Sequence, residues 1–259
     1  MPYASNGGVD IWYEKHGEGP AIVFLHGRAG NGASWWRQVA AFSQTHTVIT
    51  FDQRGFGRSP CDREAFTAGT LASDVAAVLD ATDTPRAALV SQSMGGISAM
   101  RFARDYPERI SGLLVSSSMA GVVPMDIRRR LAELERANTI SLPDRAFAPG
   151  YSGREPALYE LYKQILSFNT VFDPAWRARI AGPEQSFGPN DFDNYTVPTV
   201  FIVGAHDQFF PPVFVHEVAA WVPGAKVVDI PDVGHSPYWE NPEGFDRVVT
   251  DWLDRNAIW

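Results

Sequence analysis

The stretch Val90-Ser91-Gln92-Ser93-Met94-Gly95-Gly96 restricts the possible folds of this 259-residue chain more than any other. An apolar run, Ala87 to Val90, enters it, and a run of small and apolar residues, Ile97 to Ala103, leaves it. That order is strand, very tight turn and helix, with a serine at the apex. Strand and helix approach closely at such a turn, so the flanking residues must be small, as Ser91, Gly95 and Gly96 are. The turn lifts the Ser93 hydroxyl out of the sheet, and the helix N-terminus behind it favours developing negative charge. The usual pattern is G-x-S-x-G. Here Ser91 holds the first position, which predicts a more crowded turn. A strand-to-helix turn without chemistry fits the pentapeptide equally well, so the rest of the chain must decide.

The surrounding pattern is regular. Val9 to His16 alternates apolar and polar residues and reads as an edge strand. The continuous apolar runs 21–25, 47–51, 87–90, 113–116 and 199–204 read as strands buried on both faces, as in a parallel sheet, and 226–230 reads as a further strand. Helical spacing occupies Ser34 to about Phe42, the run containing Leu71, Val75, Val78 and Leu79 with Thr70 as its cap, Ile97 to about Asp105, Val213 to Val222, and Gly244 to Arg255. From about Gly121 to Thr196 strand signals are missing and helical stretches, Ile127 to Ala137 and Ala157 to Phe168, alternate with Pro and Gly breaks. The fold class is therefore α/β, a mostly parallel sheet covered on both faces. Ligands of such sheets sit at the carboxyl ends of the strands. His26-Gly27-Arg28-Ala29-Gly30, Asp52 to Ser59, Ser93, Asp207 and His235 all follow strands at that edge.

A serine hydroxyl needs a base to become a nucleophile. His235, directly after the last strand, is the expected base. His26 is expected to brace its loop, His16, His46 and His216 to be structural or solvated, and His206 to be a loop residue. The base needs an acid to orient it. Asp207 is favoured over Asp232, which stands only three positions before His235 and is too close in the chain to turn back. An oxyanion on the substrate needs preorganised N–H donors. Met94, after the serine, and Arg28, in the loop after Leu25, are the expected ones. The Arg28 side chain is expected to face solvent, with a substrate carboxylate as the alternative.

These residues together, Ser93, Asp207 and His235 in that chain order with the His26-Gly27 loop and the Asp52-x-Arg54-Gly55-x-Gly57-x-Ser59 segment, resemble the α/β-hydrolase fold family over nearly the whole chain. The resemblance implies an eight-stranded sheet core (1–121 and 197–259), an inserted helical lid (122–196), a Ser-His-Asp triad and no cofactor or metal. Serine rather than aspartate at the nucleophile position argues against the haloalkane dehalogenases and epoxide hydrolases of this fold. It implies a small-molecule carboxylic ester or lactone as substrate. Alternatives are hydrolysis of a carbon–carbon bond in a ring-fission product, or a slow-turnover ligand sensor on the same fold. Trp35, Trp36, Met119 and Trp239 flank the site in sequence terms. The lid aromatics Phe147, Tyr151, Tyr159, Tyr162, Phe168, Phe172 and Trp176 are expected partly to roof a pocket and mostly to pack. Trp35, Met119, Phe147, Tyr162 and Trp239 are the expected pocket residues.

Composition removes other classes. A formal net charge of −8 argues against nucleic-acid or anionic-membrane surfaces, which need a basic stripe. The run Arg128-Arg129-Arg130 lies among Asp126, Glu133 and Glu135 and reads as a solvated helix face. The first eight residues lack a basic and apolar leader, and no apolar run is bilayer-length, so a cytoplasmic protein is the expectation. Cys61 is the single cysteine and reads as a bystander.

Overall fold

The computed structural model describes residues 2–169, 176–256 and 258. Its strands are β1 (Tyr3–Asn6), β2 (Val9–His16), β3 (Ala21–Leu25), β4 (Thr47–Phe51), β5 (Ala87–Gln92), β6 (Ile110–Ser116), β7 (Thr199–Gly204) and β8 (Lys226–Ile230). They form one eight-stranded sheet in the order β1-β2-β4-β3-β5-β6-β7-β8. Pairings β1–β2 and β2–β4 are antiparallel and the rest parallel. The helices are α1 (Trp36–Phe42), α2 (Ala68–Ala81), α3 (Gly95–Asp105), α4 (Met125–Ala137), α5 (Leu142–Arg145), α6 (Tyr151–Arg154), α7 (Pro156–Ser167), α8 (Trp176–Ala181), α9 (Pro212–Ala219), α10 (Pro237–Glu240) and α11 (Pro242–Arg255). Among the described residues, the segment between β6 and β7 holds helices and no strand.

The doubly apolar strands feed two cores. Val23 and Leu25 of β3, Leu89 of β5, Leu113 and Val115 of β6, and Phe201 and Val203 of β7 point to one face. There they meet Val75 and Val78 of α2, Phe102 of α3, and Phe214 and Val218 of α9. The alternate residues, Ile22, Phe24, Val90, Leu114 and Ile202, point to the other face and meet Trp35, Phe42 and the α11 residues Phe245, Val249 and Leu253. Strand period two thus splits each run between two layers. The edge strand β8 keeps Lys226 and Asp229 exposed, which discourages pairing with another chain.

Two local expectations change. β2 is not an edge strand, because β1 pairs outside it through the turn at Gly7 and Gly8, both in the left-handed region (φ 58° and 80°). The cap of α2 is Thr67 rather than Thr70. Thr67 Oγ1 accepts the Thr70 N–H, and the Thr70 hydroxyl in turn accepts the Thr67 N–H, a reciprocal capping box. The segment after β4 is anchored by the buried Arg54–Asp74 pair, with Nε–Oδ2 at 2.6 Å and Nη2–Oδ1 at 2.5 Å. Asn6 Nδ2 also donates to Asp74 at 2.8 Å, so the first hairpin is tied to α2 and to the segment after β4.

Candidate active site

Ser93 sits after β5 with φ 50°, a left-handed conformation that is costly for a residue with a side chain. The turn has no room for bulk. A Cβ on Gly95 would stand 2.5 Å from the Leu25 carbonyl oxygen and 2.8 Å from that of His26, and one on Gly96 would stand 2.6 Å from Ser118 Oγ. The Ser93 N–H donates to the Ser116 carbonyl on β6 at 2.9 Å. The crowding expected from Ser91 is absorbed, since its buried hydroxyl donates to the Leu114 carbonyl at 2.9 Å.

His235 and Asp207 meet across two neighbouring loops. His235 Nδ1 lies 2.9 and 3.0 Å from the Asp207 carboxylate oxygens, and both side chains are buried. Asp207 Oδ1 also accepts the N–H groups of Phe209 and Phe210, each at 2.9 Å. These bonds satisfy the buried carboxylate and fix Nδ1 of His235 as the protonated nitrogen, leaving Nε2 as the basic one. Gly204 and Gly234 let the two loops stack backbone on backbone, and a Cβ on Gly204 would collide with the Gly234 carbonyl. Asp232 is exposed in a left-handed turn (φ 60°). The His206 N–H donates to the Val233 carbonyl at 2.9 Å.

His26 braces its loop as its position implies. Its Nδ1 donates to the Gly27 carbonyl at 2.7 Å and its Nε2 accepts the Gln53 N–H at 2.9 Å. Gly30 N–H donates to the same Gly27 carbonyl at 3.1 Å. Holding that carbonyl from one side turns the N–H of the same peptide, that of Arg28, to the other. Burial pushes the His26 pKa down, outweighing the raising effects of the Gly27 carbonyl and Asp52. The neutral ring is the form that both bonds need.

Ser93, Met94, Arg28 and His235 line one cavity of about 340 Å³. Met119 and Tyr162 line it too, as do Gln92, Phe209 and Phe210. On the helical side its wall is mainly apolar, with Val123, Leu131, Leu142, Ala146 and Leu166. Three expected pocket residues do not line it. Trp35 is fully buried against Phe24 and Tyr238, with ring centroids at 5.0 and 4.5 Å. Phe147 stacks on Tyr151 at 4.4 Å, and Trp239 stands edge-on to Tyr162 at 5.3 Å. A large ring gains more from core packing on several sides than from one face against a cavity. Trp36 lies partly exposed under Arg37, and Tyr151, Tyr159 and Phe168 likewise stay off the cavity wall. Phe172 and the Trp176 side chain fall outside the described residues.

Two arginines depart from expectation. Arg28 is half-buried and lines the cavity rather than facing solvent. Arg128 also lines it, donating to the Ala181 carbonyl at 2.9 Å and Ser186 Oγ at 2.7 Å, so the basic run is not one solvated face. Arg130, one position past the next, pairs on the surface with Glu217 at 2.8 Å. His16, His46 and His216 do not line the cavity. Cys61 is half-buried, and burial raises its thiol pKa, which makes a poor nucleophile. Among the described residues no cluster of three or more His, Cys, Asp or Glu side chains forms a metal-ligand set, and no helix is long and apolar enough to cross a membrane.

The residue that sequence reasoning missed is Glu240. It ends α10, five positions after His235, and its carboxylate accepts the N–H of Gly234 at 2.7 Å and of Ala148 at 2.8 Å. A carboxylate one short helix past a loop histidine is the only signal the sequence carries for it.

The family profile described as alpha/beta hydrolase fold matches residues 20–242. The chain belongs to the α/β-hydrolase fold family, and it is a hydrolase. A Mycobacterium tuberculosis protein provisionally named as the non-heme bromoperoxidase BpoC is 29% identical over 93% of this chain and 96% of its own. The 3-oxoadipate enol-lactonase 2 of Acinetobacter baylyi is 25% identical over 89% of this chain and 87% of its own. Among solved structures, Est816, described as an N-acyl homoserine lactone degrading enzyme, superposes with a TM-score of 0.80 at 29% identity, covering 96% of this chain and 99% of its own.

Proposed function

We propose that the protein hydrolyses a small carboxylic ester or lactone through an acyl intermediate on Ser93. The observation that carries this is a serine on a left-handed elbow and an Asp207-oriented His235 lining the same cavity. His235 Nε2 takes the Ser93 proton as Oγ attacks the carbonyl, and returns it to the leaving oxygen. Asp207 holds the ring and stabilises the imidazolium. The N–H groups of Met94 and Arg28 receive the oxyanion, and each such donor is worth on the order of a hundredfold or more in rate. Water then enters by the same base, cleaves the acyl–serine bond and restores the hydroxyl. For a lactone the leaving oxygen stays tethered, and one hydroxy acid is released.

A cavity of about 340 Å³ suits a small molecule. The names of the enol-lactonase and of the lactone-degrading Est816 support an ester or lactone carbonyl as the reacting group. The segment 122–196 acts in this reading as the lid, since α4, α5 and α7 supply the apolar wall. The test is release of p-nitrophenol from its C2 to C12 esters, with Ser93→Ala as the control. Turnover that the substitution lowers by about 10⁴-fold or more is expected. Turnover unchanged in Ser93→Ala would overturn the mechanism.

A further inference from the structure

We propose that Glu240 is a positioning residue for His235, and that its ionised carboxylate holds the base's loop and the helical segment in one arrangement. This rests on His235 being the base. The geometry is a bridge between two stretches of chain. Glu240 Oε1 accepts the N–H of Gly234, the residue before His235, and Oε2 accepts the N–H of Ala148, between α5 and α6. The Ser236 N–H, on the far side of His235, also stabilises the carboxylate. Gly234 has no room to move toward that segment, because a Cβ there would run into the backbone of Phe147 and Ala148. From the opposite direction Gln92 Nε2, beside Ser93, donates to the His235 carbonyl at 2.9 Å. The backbone of His235 is therefore gripped between the elbow and Glu240, while Asp207 fixes only its ring.

The grip depends on charge. An ionised carboxylate only accepts hydrogen bonds, whereas a carboxylic acid or an amide turns a donor toward one of these N–H groups. Burial raises the Glu240 pKa to about 7, against the lowering effects of the Ala148, Gly234 and Ser236 N–H groups and of Arg154. The other groups within reach are Tyr151 of α6 and Tyr162 of α7, with Arg37 of α1 behind Tyr151. Burial raises both phenols, Tyr151 to about 12, so both stay neutral at working pH. Two groups must then be deprotonated for full activity, His235 and Glu240. A raised carboxylate pKa means that folding favours the protonated form. This stabilisation is present below the ordinary value of 4.5 and is lost as pH rises to about 7, so the active form is the less stable one.

The test is the pH dependence of kcat on a p-nitrophenyl ester for the wild type, Glu240→Gln and His235→Ala, with Tm recorded at each pH. The wild type should show an acid limb steeper than a slope of one. Glu240→Gln should lose about ten- to a hundredfold in kcat at pH 8, the scale of a misplaced reacting group, and its limb should flatten to a slope of one. A wild-type limb of slope one, or a Glu240→Gln enzyme with unchanged kcat or unchanged slope, would overturn the proposal. The His235→Ala arm separates the two readings, since full activity there overturns His235 as base whatever Glu240 does.

Discussion

The two walls of the cavity are built by different rules. On the sheet side the backbone and side chains around the site are held by buried hydrogen bonds. Ser93 is pinned to β6, the Gly27 carbonyl is held twice, and His235 is gripped at ring and backbone. On the helical side the wall is aliphatic, and the segment that carries it is joined to the sheet side by apolar packing, with Ile127, Phe147, Ile165 and Phe187 in the buried cores, and by polar ties. Asn31 Nδ2 donates to the Ile165 carbonyl at 3.0 Å, and Asn169 donates to the Ala29 carbonyl while accepting the Gly57 N–H at 2.8 Å. With Glu240, these tie α7 and the Ala148 segment to the loops around Ser93 and His235. In the proposed mechanism the difference gives rate to one wall and substrate choice to the other. Preorganised dipoles act on the transition state, whereas apolar contact discriminates only by size.

Substitutions on opposite walls should therefore behave differently. Asp207→Asn leaves the geometry in place but permits the wrong tautomer of His235, and should lower kcat by about 10⁴-fold for every ester alike. A loss confined to long or short esters would break the division. Leu131→Ala enlarges the helical wall and should shift the chain-length optimum upward. Its effect should be about ten- to two-hundredfold between neighbouring preferences, the worth of a methylene in an apolar pocket, with kcat for the acetate little changed. Equal losses across the whole series would give the helical wall a part in the chemistry. Comparing kcat/KM along the ester series measures both.

How much of this was legible in the sequence follows from the same contrast. Parallel strands buried on both faces read as continuous apolar runs, so β3, β4 and β7 stand where the pattern places them. The elbow and the sheet-edge loops were legible because glycines and polar residues cluster after strands. β1 was not, since its four residues bury only Ala4, although the Asn6-Gly7-Gly8 turn was a usable hairpin signal. The pocket was the weakest reading. A tryptophan in a core and one beside a cavity share the same sequence context, and Trp35 and Trp239 proved to be packing. Arg128 looked solvated beside acidic neighbours, yet the helix turns it inward to the Ala181 carbonyl.

The most direct measurement is the mass of the covalent intermediate. The enzyme mixed rapidly with a p-nitrophenyl ester and quenched in acid should carry one acyl group, on the peptide containing Ser93. An acyl group on another residue, or the same label persisting in Ser93→Ala, would contradict the assignment of the nucleophile.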